Sequence, residues 1–594
     1  MVKPDLAGKL NILWPLGLVV ILTFLVYYKT LNFEFTNWDD QKYVTENTLI
    51  KDLSFEGIKK IFSTPVAANY HPLTILSLAL NYAVSDLDPY SYRLVNLLLH
   101  VLCSMLVFYF IYQVTRGKIE IAFITSLLFG IHPMHVESVA WMAARKDVLY
   151  TLFYLAGLIT YIRYIQSRKL QWIGVTLLLF LLSVLSKPAA IVFPFVLLLL
   201  DYIMKRKWDV NCVLEKIPFL AISLIFGIIT LNSQSTAGAT GEQEILTSVQ
   251  KVLFASYNLL IYPVKLIFPF NQSSFIPFPD TNSLPFIYYI SPLILLGVSL
   301  IIFFFLRKNR TVVFGLLFFL INIAMVIQLI PFGNAIIAER YTYVPYIGLF
   351  YILGVGFSKV IKPEKQDLLK WKYPAIVLMG LFITLMMILS FKRTDVWKNS
   401  ETLWTDVIKK YPEQKIGWYN LGHYYSETQQ YEKSIPDFTK VIMLKPRDFE
   451  SYFNRAQSYR FAGHIQNALD DYASAIAINP EEIQPYLCRG TAYAGLKDNV
   501  RSKEEFQKAI DLQPDNYRGW FGKGNADLYL RKFDQALMDY NKTIELFPGY
   551  ADAWYNRALV YANVGDKKNG LENLQRAMEL GHPPAPKLMN FFKE

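Results

Sequence analysis

Apolar residues run in long blocks through the first two-thirds of the chain, then give way to a shorter helix-period alternation of apolar and polar positions. A helix needs roughly 20 apolar residues to cross a bilayer core. Blocks of that kind fall at 11–31, 92–114, 119–132, 147–165, 171–186, 188–204, 217–232, 287–306, 311–331, 341–360 and 373–391, which predicts eleven spans. The first block is too long for a signal-peptide core and lacks a small-residue cleavage site, so it reads as a retained span. A further apolar piece, 249–268, carries Lys251, Lys265 and Pro263 and is expected to be re-entrant or interfacial.

Short-loop Lys and Arg set orientation. With the N-terminus inside, Arg116/Lys118, Arg168/Lys169, Lys205-Arg206-Lys207, Arg307-Lys308-Arg310 and the stretch 362–372 all lie inside. A full span at 249–268 would move Arg307-Lys308-Arg310 outside, so the rule argues against it. Everything after residue 391 is then external. So are a long polar loop from about residue 32 to residue 90, with a short helix expected near 55–62, and two turns, 131–138 and 337–341.

The last third is periodic. Pro412, Pro446, Pro480, Pro514 and Pro548 recur every 34 residues. Trp418, Tyr452, Tyr486, Trp520 and Trp554 share that phase, as do Gly422, Ala456, Gly490, Gly524 and Ala558. A third column, Tyr425, Tyr459, Tyr493 and Tyr561, is broken by Asp527; a fourth is Phe438, Tyr472, Phe506, Tyr540 and Leu574. An aromatic, small, aromatic pattern ending in proline at this period is the tetratricopeptide signature. It predicts five stacked helical hairpins over 415–582, a linker and entering half-unit at 392–414, and a tail at 583–594. The fold class is therefore all-α: a polytopic membrane bundle over 1–391 followed by an α-solenoid. Such solenoids present concave surfaces to peptides and proteins; a spacer or dimerising module is the plainer alternative.

Charge follows the same division. Residues 1–391 hold 31 Lys+Arg and 21 Asp+Glu, while the remaining 203 hold 28 and 27 of the chain's 59 and 48. The chain is 53% hydrophobic and 18% charged, against about 25% charged in soluble proteins. This excludes a disordered chain, and because the basic excess sits between spans it reads as orientation rather than a nucleic-acid footprint. Cys103, Cys212 and Cys488 are too few and too scattered for a disulfide framework or a thiolate zinc site.

Candidate chemistry lies on the outer turns. Asp39-Asp40 follows the first span in an aromatic loop. Two like charges this close push one pKa up, which suits a general base near neutrality or a cation site; a solvated turn accounts for the pair equally well. His132, His135 and Glu137 do not share one helix face, so they make a poor zinc site and better substrate-binding or orienting groups. Arg145, Arg340 and Lys187 sit at helix ends where cations either snorkel or clamp a lipid phosphate. There is no glycine-rich phosphate loop, so a soluble nucleotide donor has no evident site.

These stretches together resemble a known family. Asp39-Asp40-x-x-Tyr43, His71-Pro72-Leu73-Thr74, Asn96 to His100, Leu128 to Ala140, Ala144 to Leu149, Ser186-Lys187-Pro188 and Ala338-Glu339-Arg340-Tyr341 to Pro345 are similar, in order, to the transmembrane and tetratricopeptide-repeat (TMTC) proteins, with a C-type (GT-C) glycosyltransferase fold. His71 stands where animal members typically carry arginine, which points to a bacterial relative. The resemblance implies transfer of a mannose-like sugar from a polyprenyl-phosphate carrier to protein Ser/Thr hydroxyls on the non-cytoplasmic face. Asp39 would be the base and Asp40 its orienting partner, with a divalent cation possible beside them. Tyr43, His71, His132, His135, Glu137, Arg145, Lys187, Glu339 and Arg340 would bind substrate, the arginines neutralising the departing phosphate. The repeats would bind the acceptor protein. The implied location is a bacterial inner membrane with external repeats, or an endoplasmic-reticulum membrane with lumenal ones. An envelope polysaccharide polymerase or ligase and a non-catalytic membrane-anchored scaffold are the competing readings; no nucleic-acid partner is expected.

Overall fold

The computed structural model describes residues 6–236, 246–329, 335–363, 366–583 and 585–593. The end of the predicted span 311–331 and residues 364–365 of the basic stretch lie outside the described residues. The chain forms two compact units, Met1–Lys410 and Tyr411–Glu594.

The first unit is a bundle of apolar helices, and the protein is an integral multi-pass membrane protein. Among the described residues six helices are long and apolar enough to cross a bilayer: Ile12–Asn32, Pro89–Val114, Met142–Ser167, Val210–Gln234, Phe286–Leu306 and Leu369–Trp397. The predicted span 119–132 is half of a bent pair, Ile119–Ile131 and Pro133–Ala140, which break by 57°. Proline supplies the break, since it cannot continue the preceding helix's hydrogen bonding. The four remaining predicted spans are the shorter helices Leu170–Ser186, Pro188–Ile203, Arg310–Val326 and Tyr346–Ile361. The piece expected to be re-entrant or interfacial is one helix, Ser248–Ile267, with Pro263 inside it. Met142–Ser167 is the most buried of the six and Phe286–Leu306 the least, at 67% and 6%, so the former is the centre of the bundle and the latter faces lipid. Gly315 and Gly348 let two helices meet backbone to backbone: a Cβ on either would lie 2.3–2.5 Å from the other's carbonyl oxygen.

The predicted inner turns close on a buried ion network. Asp201 accepts from the Tyr161 hydroxyl at 2.9 Å and pairs with Lys216 at 2.5 Å and Arg206 at 3.4 Å, and Arg206 also reaches Glu215 at 2.8 Å.

The segment expected to be a linker and half-repeat divides differently. Its helix, Ser400–Lys410, belongs to the first unit, where Leu403 and Trp404 are fully buried.

The second unit holds five hairpins, from Lys415–Glu427 with Tyr431–Leu444 to Ala551–Val564 with Lys567–Glu579. The phased columns have physical causes. The indoles of Trp418, Trp520 and Trp554 each donate to the carbonyl of the proline six residues earlier, at 2.8–2.9 Å. A Cβ on Gly490 or Gly524 would crowd Phe506 or Tyr540 at 3.0–3.1 Å, so the small column makes room for the aromatic one. Asp527, the break in the tyrosine column, pairs with Lys503 at 2.7 Å. Within the expected tail, Pro586–Lys593 is a helix whose Phe592 packs on Ala558 and Leu574.

A ladder of polar pairs ties the hairpins: Arg455–Asp471 at 2.7 Å, Arg489–Glu505 at 2.8 Å, Lys523–Asp539 at 3.0 Å and Arg557–Asn573 at 2.7 Å. In the first repeat Leu421 occupies the cation's place. Asp437 is left buried, its Oδ2 without a partner, and burial pushes its carboxyl up to about 7. The folded state then binds this proton more tightly than the unfolded chain, so stability falls as pH rises from about 4 through 7. Leu421→Arg or Asp437→Asn should therefore raise the thermal midpoint at pH 8 and change it little below pH 4, read by tryptophan fluorescence during heating of the purified chain. Equal shifts at both pH values would contradict this.

Candidate active site

The first outer loop is shaped by its two aspartates. Asp39 takes a left-handed backbone, φ 62°, which Asp tolerates better than most side chains. The chain then makes one wide turn, Gln41–Thr45, and Asn47 caps the next, Thr48–Lys51. The reversal sends the two carboxylates apart.

Asp40 points inward and is fully buried. Its Oδ2 accepts from the Thr36 amide at 2.8 Å and the Thr36 hydroxyl at 2.9 Å, and its Oδ1 accepts from the Ala143 amide at 2.9 Å. Burial pushes its carboxyl up to about 6, opposed by the Thr36 bonds and the charge of Arg93. The sequence led us to expect one raised aspartate, by repulsion within the pair; the cause here is burial. Asp39 is half-buried, and among the described residues no hydrogen bond or ion pair occupies its carboxylate, while its charge acts on Tyr43 and Lys146. With both Asp40 oxygens committed to protein donors, the pair does not fit a divalent cation. Among the described residues there is no cluster of three or more His, Cys, Asp or Glu able to hold one.

A cationic set surrounds Tyr43. Lys146 Nζ donates to the Tyr43 hydroxyl at 3.0 Å and lies over the rings of Tyr43 and Trp141, 4.4 and 5.4 Å from their centroids. Tyr43 stacks on His71, ring centroids 5.2 Å apart. His71 is buried, and both of its ring nitrogens lack a partner. Burial and the charges of Lys146 and Lys187 hold its pKa well below the usual imidazole range, so the ring is neutral, with one donor and one acceptor to offer. Lys187 pairs with Asp147, whose Oδ2 is also unpartnered. Arg340 is held by Glu137, which accepts from its amide at 2.9 Å and from its guanidinium, and lies 5.5 Å from the Trp141 ring centroid.

The structure thus gathers Asp39, Tyr43, His71, Lys187, Glu137 and Arg340. It places the other expected residues elsewhere. Arg145 turns inward, donating to Asn96, to Ser77 at 2.8 Å, to Asn81 at 2.9 Å and to the Tyr92 carbonyl at 2.9 Å; its neighbour Lys146 faces the site instead. His132 is used at both nitrogens: Nε2 donates to the Leu266 carbonyl at 2.9 Å and Nδ1 accepts from the Met134 amide. His135 Nδ1 donates to the Phe129 carbonyl at 2.8 Å inside a shell of Tyr343, Tyr346 and Phe350. Both histidines are buried in the bundle, and His135 Nε2 has no hydrogen-bond partner there. Glu339 turns away from Arg340 toward Arg393, at 2.9 Å.

Sequence reasoning missed Lys146 and Asp147 as site groups. Successive helix residues point about 100° apart, and nothing local says which of Arg145 or Lys146 faces the cavity. It also missed Arg93, whose guanidinium donates to the carbonyls of Phe33, Glu34, Ala140 and Trp397 and pins the loop. A separate cavity of about 840 Å³ among Tyr257, Leu260, Val264, Leu316 and Leu320 is apolar and contains none of these groups.

Comparison with known proteins bears on this geometry. Residues 76–232 match the family model described as dolichyl-phosphate-mannose-protein mannosyltransferase, and residues 417–448, 449–482 and 521–580 match tetratricopeptide-repeat models. A protein O-mannosyl-transferase of Caenorhabditis elegans is 25% identical over 449 residues, covering 71% of this chain and 61% of the relative. The protein O-mannosyl-transferase TMTC3 of Homo sapiens is 24% identical, covering 62% of this chain and 44% of the relative. Its Mus musculus counterpart is 25% identical, covering 71% and 50%. The chain spans about half the length of these relatives. Among solved structures, the tetratricopeptide protein YrrB is 23% identical, covering 32% of this chain and 97% of its own, with TM-score 0.29. With a mannosyltransferase match inside its membrane unit and repeat matches after it, the chain is similar in both parts to the transmembrane and tetratricopeptide-repeat (TMTC) proteins.

Proposed function

We propose that this protein is a membrane glycosyltransferase that moves a mannose-like sugar from a polyprenyl-phosphate carrier to Ser or Thr hydroxyls of proteins. The observation that carries this is an uncommitted carboxylate, Asp39, whose charge acts on Tyr43 and Lys146, with Lys187, Arg340 and a buried His71 with both nitrogens open gathered around the same two groups. Asp39 takes the acceptor hydroxyl's proton as its oxygen attacks the anomeric carbon. The bond from that carbon to the phosphate oxygen breaks, the electron pair leaves with the polyprenyl phosphate, and the configuration inverts. Lys146, Lys187, Arg340 and a His71 N–H then meet the charge that develops on the leaving phosphate, where fixed donors are most effective. Asp40 and Arg93 keep the loop in place, and the repeats present the acceptor. The side of the membrane is the external one assigned by the positive-inside rule.

The test is transfer by the chain reconstituted in vesicles with polyprenyl-phosphate mannose and a protein acceptor. Radiolabel should pass to protein from the lipid donor and not from a nucleotide sugar. Lys146→Met should cut turnover about 100-fold, the typical loss for one transition-state donor. Transfer only to a growing polysaccharide would favour the polymerase reading, and no transfer from any lipid-linked sugar would end both.

A further inference from the structure

The segment that reads as the first half of a repeat does something else in the fold. From the end of the last membrane helix, Arg393, to Lys410 the chain runs alongside the candidate site and touches both of its loops. On the Asp39 side, the Trp404 indole donates to Asn37 Oδ1 at 2.5 Å, and its ring lies 4.8 Å from that of Trp38. The Asn37 amide donates to the Ser400 hydroxyl at 2.9 Å, and the Glu34 amide to the Lys398 carbonyl at 2.9 Å. On the Arg340 side, Arg393 bridges Glu339 at 2.9 Å and Asp406 at 2.8 Å. Glu339 is the residue before Arg340, and Arg340 is locked to Glu137. Trp397 stacks on Trp141, the ring that also sits under Lys146 and Arg340.

We propose that residues 393–410 are a positioning strap that holds the Asp39 loop and the Arg340 loop in register, with Trp404 and Arg393 as positioning residues for the transfer step. This rests on the transferase reading for its kinetic consequence, though not for its structural one. The Asp39 loop has no regular strand or long helix to fix it, and the Arg340 loop has only the short strand Ala335–Ile337, paired with Ile276–Pro277, before it. Asp39 sits in a left-handed turn, and Arg340 lies in a single turn, Glu339–Thr342. Both are instead tied to one short helix, Ser400–Lys410: the first through the Asn37 amide on Ser400 and through Trp404, the second through the Glu339 carboxylate, Arg393 and Asp406. None of the strap residues reaches the cluster of open polar groups itself. Their effect is on where the base and the phosphate cations stand, and a displacement near 1 Å can cost about 100-fold in rate.

The experiment compares the full chain with Trp404→Ala, Trp404→Phe and Asp406→Asn in vesicles. Two measurements are made: transfer kinetics, and backbone hydrogen exchange over residues 34–43 and 335–343. Trp404→Ala should lower kcat about 10- to 100-fold with the donor KM within twofold. Exchange should speed up in the 34–43 stretch. Trp404→Phe keeps the ring stack and should recover most of kcat. Asp406→Asn, which leaves the core intact, should speed exchange in 335–343, and it serves where Trp404→Ala fails to fold. Unchanged exchange in both stretches would overturn the strap. So would a kcat loss that Phe does not rescue. If the unmutated chain transfers no sugar, the transferase reading fails alone, and exchange still decides the strap.

Discussion

Asp39→Asn is expected to leave the protein folded and to remove transfer activity, by about 100- to 10,000-fold, the usual contribution of a positioned general base. The carboxylate has no hydrogen bond or ion pair to lose among the described residues, and asparagine accepts the left-handed backbone, φ 62°, as readily as aspartate. The thermal midpoint should therefore hold while turnover falls. Asp40→Asn is the control with the opposite signature. It replaces an acceptor of three protein hydrogen bonds with a group that must aim an N–H₂ at the Thr36 or Ala143 amide. A buried donor left unsatisfied costs about 1–3 kcal/mol, so this variant should lose stability as well as activity. Normal turnover in Asp39→Asn would take the base role away from it and with it the mechanism proposed above.

Asp201→Ala is expected to destabilise the membrane unit by about 3–5 kcal/mol, the penalty for removing one partner of a buried ion pair. Asp201 and its cations Lys216 and Arg206 are at most 2% exposed at their side chains. Glu215 stays within 2.8 Å of Arg206 but 3.8 Å from Lys216, so the ammonium is the group left stranded. Adding Lys216→Met should recover much of the loss, because an apolar replacement of both partners leaves no unpaired charge. The check is the thermal midpoint of each single variant and the double variant in detergent. A double variant no more stable than Asp201→Ala would show that the network acts through something other than charge pairing.

The site was only partly legible in the chain. Asp39 and Asp40 are adjacent, chemically identical and set in the same turn-forming residues; what separates them is that one faces Thr36 and Ala143 and the other does not. Ala143 lies more than 100 residues away, so no local pattern could assign the base. Lys146 takes the place expected of Arg145 for a related reason: the helix starting at Arg145 buries the first residue and presents the second. His132 and His135 look like ligands in sequence because polar residues in an apolar stretch stand out. In the fold they bond carbonyls at two helix ends, Leu266 in Ser248–Ile267 and Phe129 in Ile119–Ile131.

The apolar blocks and the 34-residue phase were decisive by themselves, because burial in lipid and stacking of hairpins are repeated, short-range demands that every segment must meet independently. They fixed a helical membrane unit followed by five hairpins. The periodicity did not say where the repeat unit begins. Leu403 and Trp404 carry the apolar spacing of a repeat helix, yet they are buried against Asn37 and Trp38 in the membrane unit. An amphipathic helix specifies that it must cover its apolar face, not which surface will cover it. Only the folded chain, by bringing residues 33–43, 71, 137–147, 187, 340 and 393–410 together, decides which carboxylate stays open and which cations face it.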